Sequence, residues 1–209
     1  MISTKDLTYQ YPTKSNPILF PDLNVQENSA IVITGKSGVG KTTFLHLLAG
    51  LIKPTTGEIH INNTNLNQLD PSKRDKFIGK NIGIVFQKKH ALASLTILEN
   101  IETRLYFCNL KPNYPKIHEL LKELDLHKHI HKKPKQLSEG QLQRLSIALA
   151  VVHEPKIILA DEPTSSLDDE NCHQVINLLL NQANKFKANL IVITHDQRVT
   201  PLFSKNLKL

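Results

Sequence analysis

A chain of 209 residues and 23.6 kDa holds one substantial domain, and 40% hydrophobic with 22% charged residues excludes disordered, collagenous and low-complexity classes. Its longest unbroken apolar run, Ile147 to Val152, has six residues, against the roughly 18 that a transmembrane helix requires, and the start lacks the basic-then-apolar pattern of a signal peptide. The formal charge of +7 suits nucleic acid, an anionic membrane surface or phosphorylated ligands, and equally a lysine-rich solvated surface.

Elements follow from periodicity and punctuation. Ile31-Val32-Ile33-Thr34 is a β-branched run ending at Gly35, and a helix opens near Lys41, carries Phe44, Leu45, Leu47 and Leu48, and stops near Gly50. Polar strands with a turn are expected around Gly57 to Asn62, and a further strand over Ile82 to Phe86 with Gln87 at its end. From Lys88 to about Pro155 the strand signals give way to helical spacing, as in Ile117 to Leu124. Strands return at Ile157 to Ala160 and Leu190 to Ile193, as the near-continuous apolar runs of a sheet covered on both faces. Val175 to Phe186 fits a crossover helix between them. The chain therefore reads as α/β, with a core over 1–87 and 156–209 and a helical subdomain over 88–155.

Gly35-Lys36-Ser37-Gly38-Val39-Gly40-Lys41-Thr42 fits the P-loop pattern and lies between a predicted strand and a predicted helix. Glycines let backbone N–H groups turn inward around phosphate oxygens, and the helix N-terminus adds a favourable dipole. Lys41 can reach the β- and γ-phosphates, the Thr42 hydroxyl can ligate Mg²⁺, and Thr43 stands beside it.

Ile157 to Ala160 runs straight into Asp161-Glu162. A buried strand delivering two carboxylates at its C-terminal end is how P-loop folds place a magnesium-binding aspartate. Adjacent strand residues point to opposite faces, so the pair should divide roles: Asp161 joins the magnesium shell, and Glu162 orients or deprotonates the attacking water.

Leu137-Ser138-Glu139-Gly140-Gln141 precedes Gln143-Arg144 and an apolar helix from Leu145 to Val152. Ser138 and Gln141 have capping-box spacing, which puts the motif at a helix N-terminus. With the P-loop, Gln87 and Asp161-Glu162 in this order, the chain resembles the ATP-binding cassette (ABC) ATPases over almost its whole length.

The resemblance implies a P-loop NTPase fold of the ABC type: a mixed central sheet, an inserted helical subdomain and an antiparallel β subdomain. It implies ATP and Mg²⁺ as cofactors. Tyr11 matches the aromatic that stacks on adenine, with Tyr9 as the other candidate. Gln87 matches the glutamine that contacts Mg²⁺ and links core to helical subdomain. Ser138, Gly140 and Gln141 match the signature that closes on the γ-phosphate of a partner subunit's ATP. Ser166-Leu167-Asp168 matches the loop communicating across that dimer, and His195 the switch histidine that hydrogen-bonds the γ-phosphate. Glu139 departs from the commoner glycine and adds negative charge near a phosphate site, although a carboxylate in a helix's first turn suits the dipole.

One cassette cannot complete two sites alone, so a second cassette is implied, as a homodimer or a heterodimer. Gly79 to Gln87 followed by Leu95 to Ile101 is most similar to the lipoprotein-release and macrolide-export subgroup, whose cassettes dock beneath a membrane permease. The expectation is thus a transport ATPase, peripheral on the cytoplasmic face of the cell membrane, with no nucleic acid partner. Two other classes compete. A nucleic-acid-linked cassette would suit the charge, but only 51 residues separate Gln87 from Ser138 (138 − 87), too few for a repair-type coiled coil. A scaffold ATPase for iron–sulfur assembly or division would differ mainly in its partner. With 14 residues after His195 (209 − 195), no appended regulatory domain is expected.

Two local features have plainer readings. His127, His129 and His131 alternate beside lysines, and such i, i+2 residues share no helix face, so a solvated basic surface is expected rather than a metal site. Cys108 and Cys172 lack metal-ligand spacing and are expected as inert thiols in a reducing compartment.

Overall fold

The structure is a computed structural model that describes residues 1–13, 16–88, 90–165 and 167–209. Strands of both senses are present, and they segregate into two five-stranded sheets. The first takes β4 (Ala30–Thr34), β7 (Ile82–Val85), β8 (Ile157–Asp161), β9 (Asn189–Thr194) and β10 (Asn206–Lys208) in the order β10-β4-β9-β8-β7, every pair parallel. All of β8 and β9 is buried, which is why these strands read as unbroken apolar runs rather than alternating ones.

The register decides what each face carries. Val32, Val192, Ala160 and Val85 form one row across the sheet, and they pack on the helical side of the molecule. Ile31, Ile33, Ile191, Ile193 and Leu159 point the other way, against α1 (Lys41–Leu48). Phe44, Leu45, Leu47 and Leu48 of α1 are fully buried there, each worth roughly 1.5–3 kcal/mol over the exposed side chain.

The opposite wall of that layer is the antiparallel sheet. Its centre is β1 (Ile2–Tyr9), which pairs with β2 (Ile18–Leu19), β3 (Asn24–Val25) and β5 (Thr56–Ile61), while β6 (Thr64–Asn65) extends β5. Ile2, Leu7, Ile59 and Ile61 close over α1 from this side. Neither β1 nor the helix α2 (Pro71–Asn81) was expected from periodicity. Asp70 caps α2 by accepting from Lys73 N, and proline stands in its first turn, but no residue of α2 is fully buried and only Phe77 and Ile78 pack against the core, which makes no apolar stripe.

Between β7 and β8 the described chain is helical: α3 (Ile97–Phe107), α4 (Tyr114–Glu123) and α5 (Glu139–Val151). A Thr96–Glu99 capping box opens α3, and Ile117, Leu120 and Leu121 give α4 its buried stripe. The Ser138–Gln141 capping box opens α5 as its spacing required. Gly83 of β7 lets α5 approach closely, because a Cβ there would stand 1.9 Å from the Ala150 carbonyl oxygen. The crossover helix α6 runs Asp169–Lys185, starting earlier than its apolar pattern because Asp168 caps it and Asp169 and Glu170 complement the dipole of its first turn.

Candidate active site

The turn between β4 and α1 puts Gly38 at φ 81° and Gly40 at φ 108°, the left-handed region that glycine enters without strain. Gly40 is the N-cap of α1 and no side chain caps that end, so its first amide groups face outward as an anion site. Lys41 is 8% exposed, and its ammonium donates to the carbonyls of Gly35 at 2.9 Å and Lys36 at 3.2 Å. It also stands 3.8 Å from Glu162 Oε1.

Alternation along β8 turns Asp161 to the same side as Leu159, toward α1, where its carboxylate meets the Thr42 hydroxyl. Burial pushes the Asp161 carboxyl above the usual carboxylate range, opposed by the Thr42 hydrogen bond and reinforced by the charge of Glu162. Asp161 Oδ1 is buried without a hydrogen-bond partner. A lone buried carboxylate oxygen beside a threonine hydroxyl is a donor set suited to a hard divalent cation.

Glu162 leaves the strand in a left-handed conformation, φ 47°, with its N–H on the Ile193 carbonyl at 2.8 Å. Its Oε2 accepts from the Thr194 hydroxyl at 2.8 Å and from His195 N at 3.3 Å, and its Oε1 lies 2.7 Å from His195 Nδ1. Two parallel neighbours, β8 and β9, thus end level and bring carboxylate and imidazole together.

These groups surround a cavity of about 410 Å³ lined by Tyr11, Thr13, Ile18, Ser37, Gly38, Gly40, Lys41, Thr42, Thr43, Gln87, Glu162 and His195. Tyr11 Oη lies 2.6 Å from Thr43 Oγ1, and its ring meets Tyr9 edge-on at 4.8 Å. Gly35 and Lys36 take part through the carbonyls that hold Lys41, Asp161 lies behind Thr42, and Val39 is exposed outside the lining.

Ser138, Gly140 and Gln141 do not join this cavity; they form the N-terminal turn of α5. Gln141 Oε1 accepts from Ser138 N at 3.0 Å, and its Nε2 donates to His129 Nε2 at 3.0 Å, so one of the alternating histidines braces this turn. Among the described residues no group of three or more metal-ligating side chains occurs. Leu167 and Asp168 lead into α6, and Ser166 lies outside the described residues.

Sequence reasoning missed Thr194 and Asp196, which flank the imidazole; the only available signal was a polar Thr-His-Asp run closing a buried strand. The assembled groups can cradle a polyphosphate, hold a divalent cation and present a carboxylate with an imidazole at one end. That is the equipment of phosphoryl transfer to water.

A strand, a glycine-rich turn and a helix around a buried lysine, with a neighbouring strand delivering paired carboxylates, define a P-loop nucleoside triphosphatase. The family model described as ABC transporter matches residues 21–165. The lipoprotein-releasing system ATP-binding protein LolD of Legionella pneumophila (strain Lens) is 38% identical over 190 residues, covering 90% of this chain and 84% of that protein. The macrolide export ATP-binding/permease protein MacB of Hyphomonas neptunium is 35% identical over 95% of this chain but only 32% of its own length. Among solved structures, the ATP-binding cassette MJ0796, as a dimer in a post-hydrolysis state bound to ADP and Pi, matches with TM-score 0.89 and 35% identity, covering 100% of this chain and 94% of that one.

The chain belongs to the ABC transporter family. It is an ATP-binding and hydrolysing cassette subunit with the P-loop ABC-ATPase fold, related to the LolD and MacB ATPases.

Proposed function

We propose that this cassette hydrolyses Mg²⁺-ATP as one half of a homodimer and drives a separate membrane permease from its cytoplasmic face. The observation that carries the reading is the convergence of Lys41, Thr42, Gln87, Glu162 and His195 on one cavity, with the orphaned Asp161 oxygen behind it.

In this reading the amides of residues 38–42 and the Lys41 ammonium bind the β- and γ-phosphates, and Tyr11 stacks on the adenine. Thr42, Asp161 and Gln87 would hold a magnesium ion, which would supply positive charge to offset that of the phosphates. Glu162 accepts the proton of the attacking water, and His195 hydrogen-bonds the γ-phosphate. Ser138, Gly140 and Gln141 act on the ATP of the partner copy, consistent with their standing apart from this copy's cavity.

Core elements (1–87 and 156–209) and the 88–155 insertion would then move as separate bodies around Gln87. An apolar groove of about 400 Å³, whose lining includes Ile82, Ile84, Leu149 and the two sequence neighbours of Gln87, Phe86 and Lys88, supports a permease contact at that joint. None of the described helices is long and apolar enough to cross a membrane, which suits a peripheral subunit. Similarity to LolD and MacB supports cargo that is lipoprotein or another hydrophobic export substrate.

Tagged Glu162→Gln protein, loaded with ATP and pulled down in mild detergent, tests the partner. A co-purifying polytopic membrane protein supports the transporter; soluble assembly factors or nucleic acid overturn it while leaving the ATPase standing. Lys41→Ala tests the phosphate clamp, with ATP affinity expected to fall by at least about a hundredfold. Unchanged ATP binding by calorimetry would remove Lys41 from the site.

A further inference from the structure

The described residues between Glu162 and α6, 163–165 and 167–168, belong to neither sheet nor helix. Among them, Ser165 N donates to the Glu162 carbonyl at 3.3 Å and Leu167 N to the Thr164 carbonyl at 3.1 Å. What fastens the far end of this segment is Arg198, three residues beyond His195. The Arg198 guanidinium donates through Nε to Asp196 Oδ1 at 2.9 Å and through Nη2 to Asp196 Oδ2 at 2.8 Å. Nη1 donates to Asp169 Oδ1 at 2.5 Å, and Nη2 also reaches the Leu167 carbonyl at 3.3 Å.

Asp196 carries the connection back to the reacting end. Its Oδ2 accepts from the Thr164 hydroxyl at 3.0 Å, its N–H donates to Thr194 Oγ1 at 3.0 Å, and that hydroxyl donates to Glu162 Oε2 at 2.8 Å. A continuous set of hydrogen bonds thus runs from Glu162 through Thr194, Asp196 and Arg198 to the first residue of α6. Arginine suits the position because its planar fork serves two carboxylates and a carbonyl at fixed angles, which a lysine cannot do.

We propose that Arg198 is a positioning residue for ATP hydrolysis: directly and through Asp196 it ties Thr164, Leu167 and Asp169 to the 194–198 turn and so fixes Glu162 against His195. The inference rests on the proposed function of Glu162 and His195. Arg198 lies outside the cavity lining, so its loss should leave nucleotide binding intact and slow only the step that needs the aligned pair.

Steady-state ATP hydrolysis by Arg198→Ala should show kcat lowered about tenfold or more, with the ATP KM within about twofold of wild type. Arg198→Lys, which keeps the charge and loses the fork, should recover only a fraction of kcat. Asp169→Ala removes the outer arm at an 84%-exposed carboxylate that packs against no core residue. Combined with Arg198→Ala it should add nothing beyond the single change, since both break one connection. A kcat within twofold of wild type, full rescue by lysine, or additive losses would each overturn the proposal.

Amide hydrogen exchange separates this proposal from the function beneath it. Faster exchange at residues 164–172 in Arg198→Ala supports the clamp even if the wild-type chain hydrolyses no ATP, a result that would overturn the proposed function alone. Unchanged exchange there overturns the clamp.

Discussion

Glu162 Oε1 and His195 Nδ1 lie 2.7 Å apart at the level ends of two adjacent parallel strands. The carboxylate is 8% exposed and the imidazole side chain 63% exposed, so the pair joins a buried carboxylate to a ring that solvent can reach. Thr194, the His195 amide and the imidazole all occupy the Glu162 carboxylate, with Lys41 3.8 Å away. Three hydrogen-bond partners leave the carboxylate about one of its four acceptor sites, which is where the proposed attacking water would be held.

Glu162→Gln keeps the shape and most donors' partners but cannot accept a proton. Turnover should fall by about 10² or more while ATP binding persists. His195→Ala should lower turnover by about the same order, since an aligned donor is removed from the γ-phosphate. Single-turnover hydrolysis with labelled ATP checks both; wild-type rates in either variant would strip that residue of its role.

Asp161→Asn is expected to separate stability from activity. Burial of this carboxylate, with Glu162 beside it, disfavours its charge, so a neutral isostere should leave the thermal midpoint equal or higher. Magnesium-dependent hydrolysis should be lost, because the amide is a far weaker ligand for a hard cation. A fall in both, measured by calorimetry and phosphate release, would make Asp161 structural only.

His153 should make the fold acid-sensitive. It is 6% exposed at the end of α5, and burial, then the Arg104 charge, lowers its pKa to about 4 from an ordinary value of 6.5. Between those values the unfolded chain binds the extra proton, so stability falls as pH drops from about 6.5 toward 4, by roughly 2–3 kcal/mol in all. Above pH 7 this contribution is flat. Urea midpoints at pH 7 and pH 5 report it, and His153→Gln should flatten the slope; an unchanged slope would assign the acid sensitivity to other groups.

Gly83→Ala should destabilise the chain by at least about 2 kcal/mol, because the new Cβ meets the Ala150 carbonyl oxygen at 1.9 Å and backbone must move apart. Gly79→Ala is the matched control, as nothing lies within 4 Å of a Cβ there. Denaturant midpoints that rank the two in the opposite order would refute the close approach of α5 to β7.

Much of the architecture was legible because its signals are local. The apolar runs of β4, β8 and β9, the capping box of α5 and the glycines before α1 each announce themselves within a few residues. α2 was silent because only the adjacent pair Phe77 and Ile78 packs against the core, which makes no helical period. β1 was silent for a different reason: ISTKDLTY mixes polar and apolar positions, and its pairing with β5 shifts register between Lys5 and Thr8, which breaks the alternation a strand would show. The start of α6 was carried by its cap and charges rather than by its buried face.

By itself the sequence determined the family's motifs: the P-loop, the paired carboxylates after an apolar strand and the capped signature turn, and the order in which the chain delivers them. Those are properties of residue types at fixed short spacings, and backbone geometry enforces them wherever the chain folds. Tertiary structure alone decided which distant groups meet. Parallel pairing of β8 with β9 sets Glu162 on His195; alternation along β8 turns Asp161 toward Thr42; and Arg198 finds Asp169 and Leu167 across the same sheet end. Such contacts depend on register and packing summed over the whole core, which no short stretch of sequence encodes.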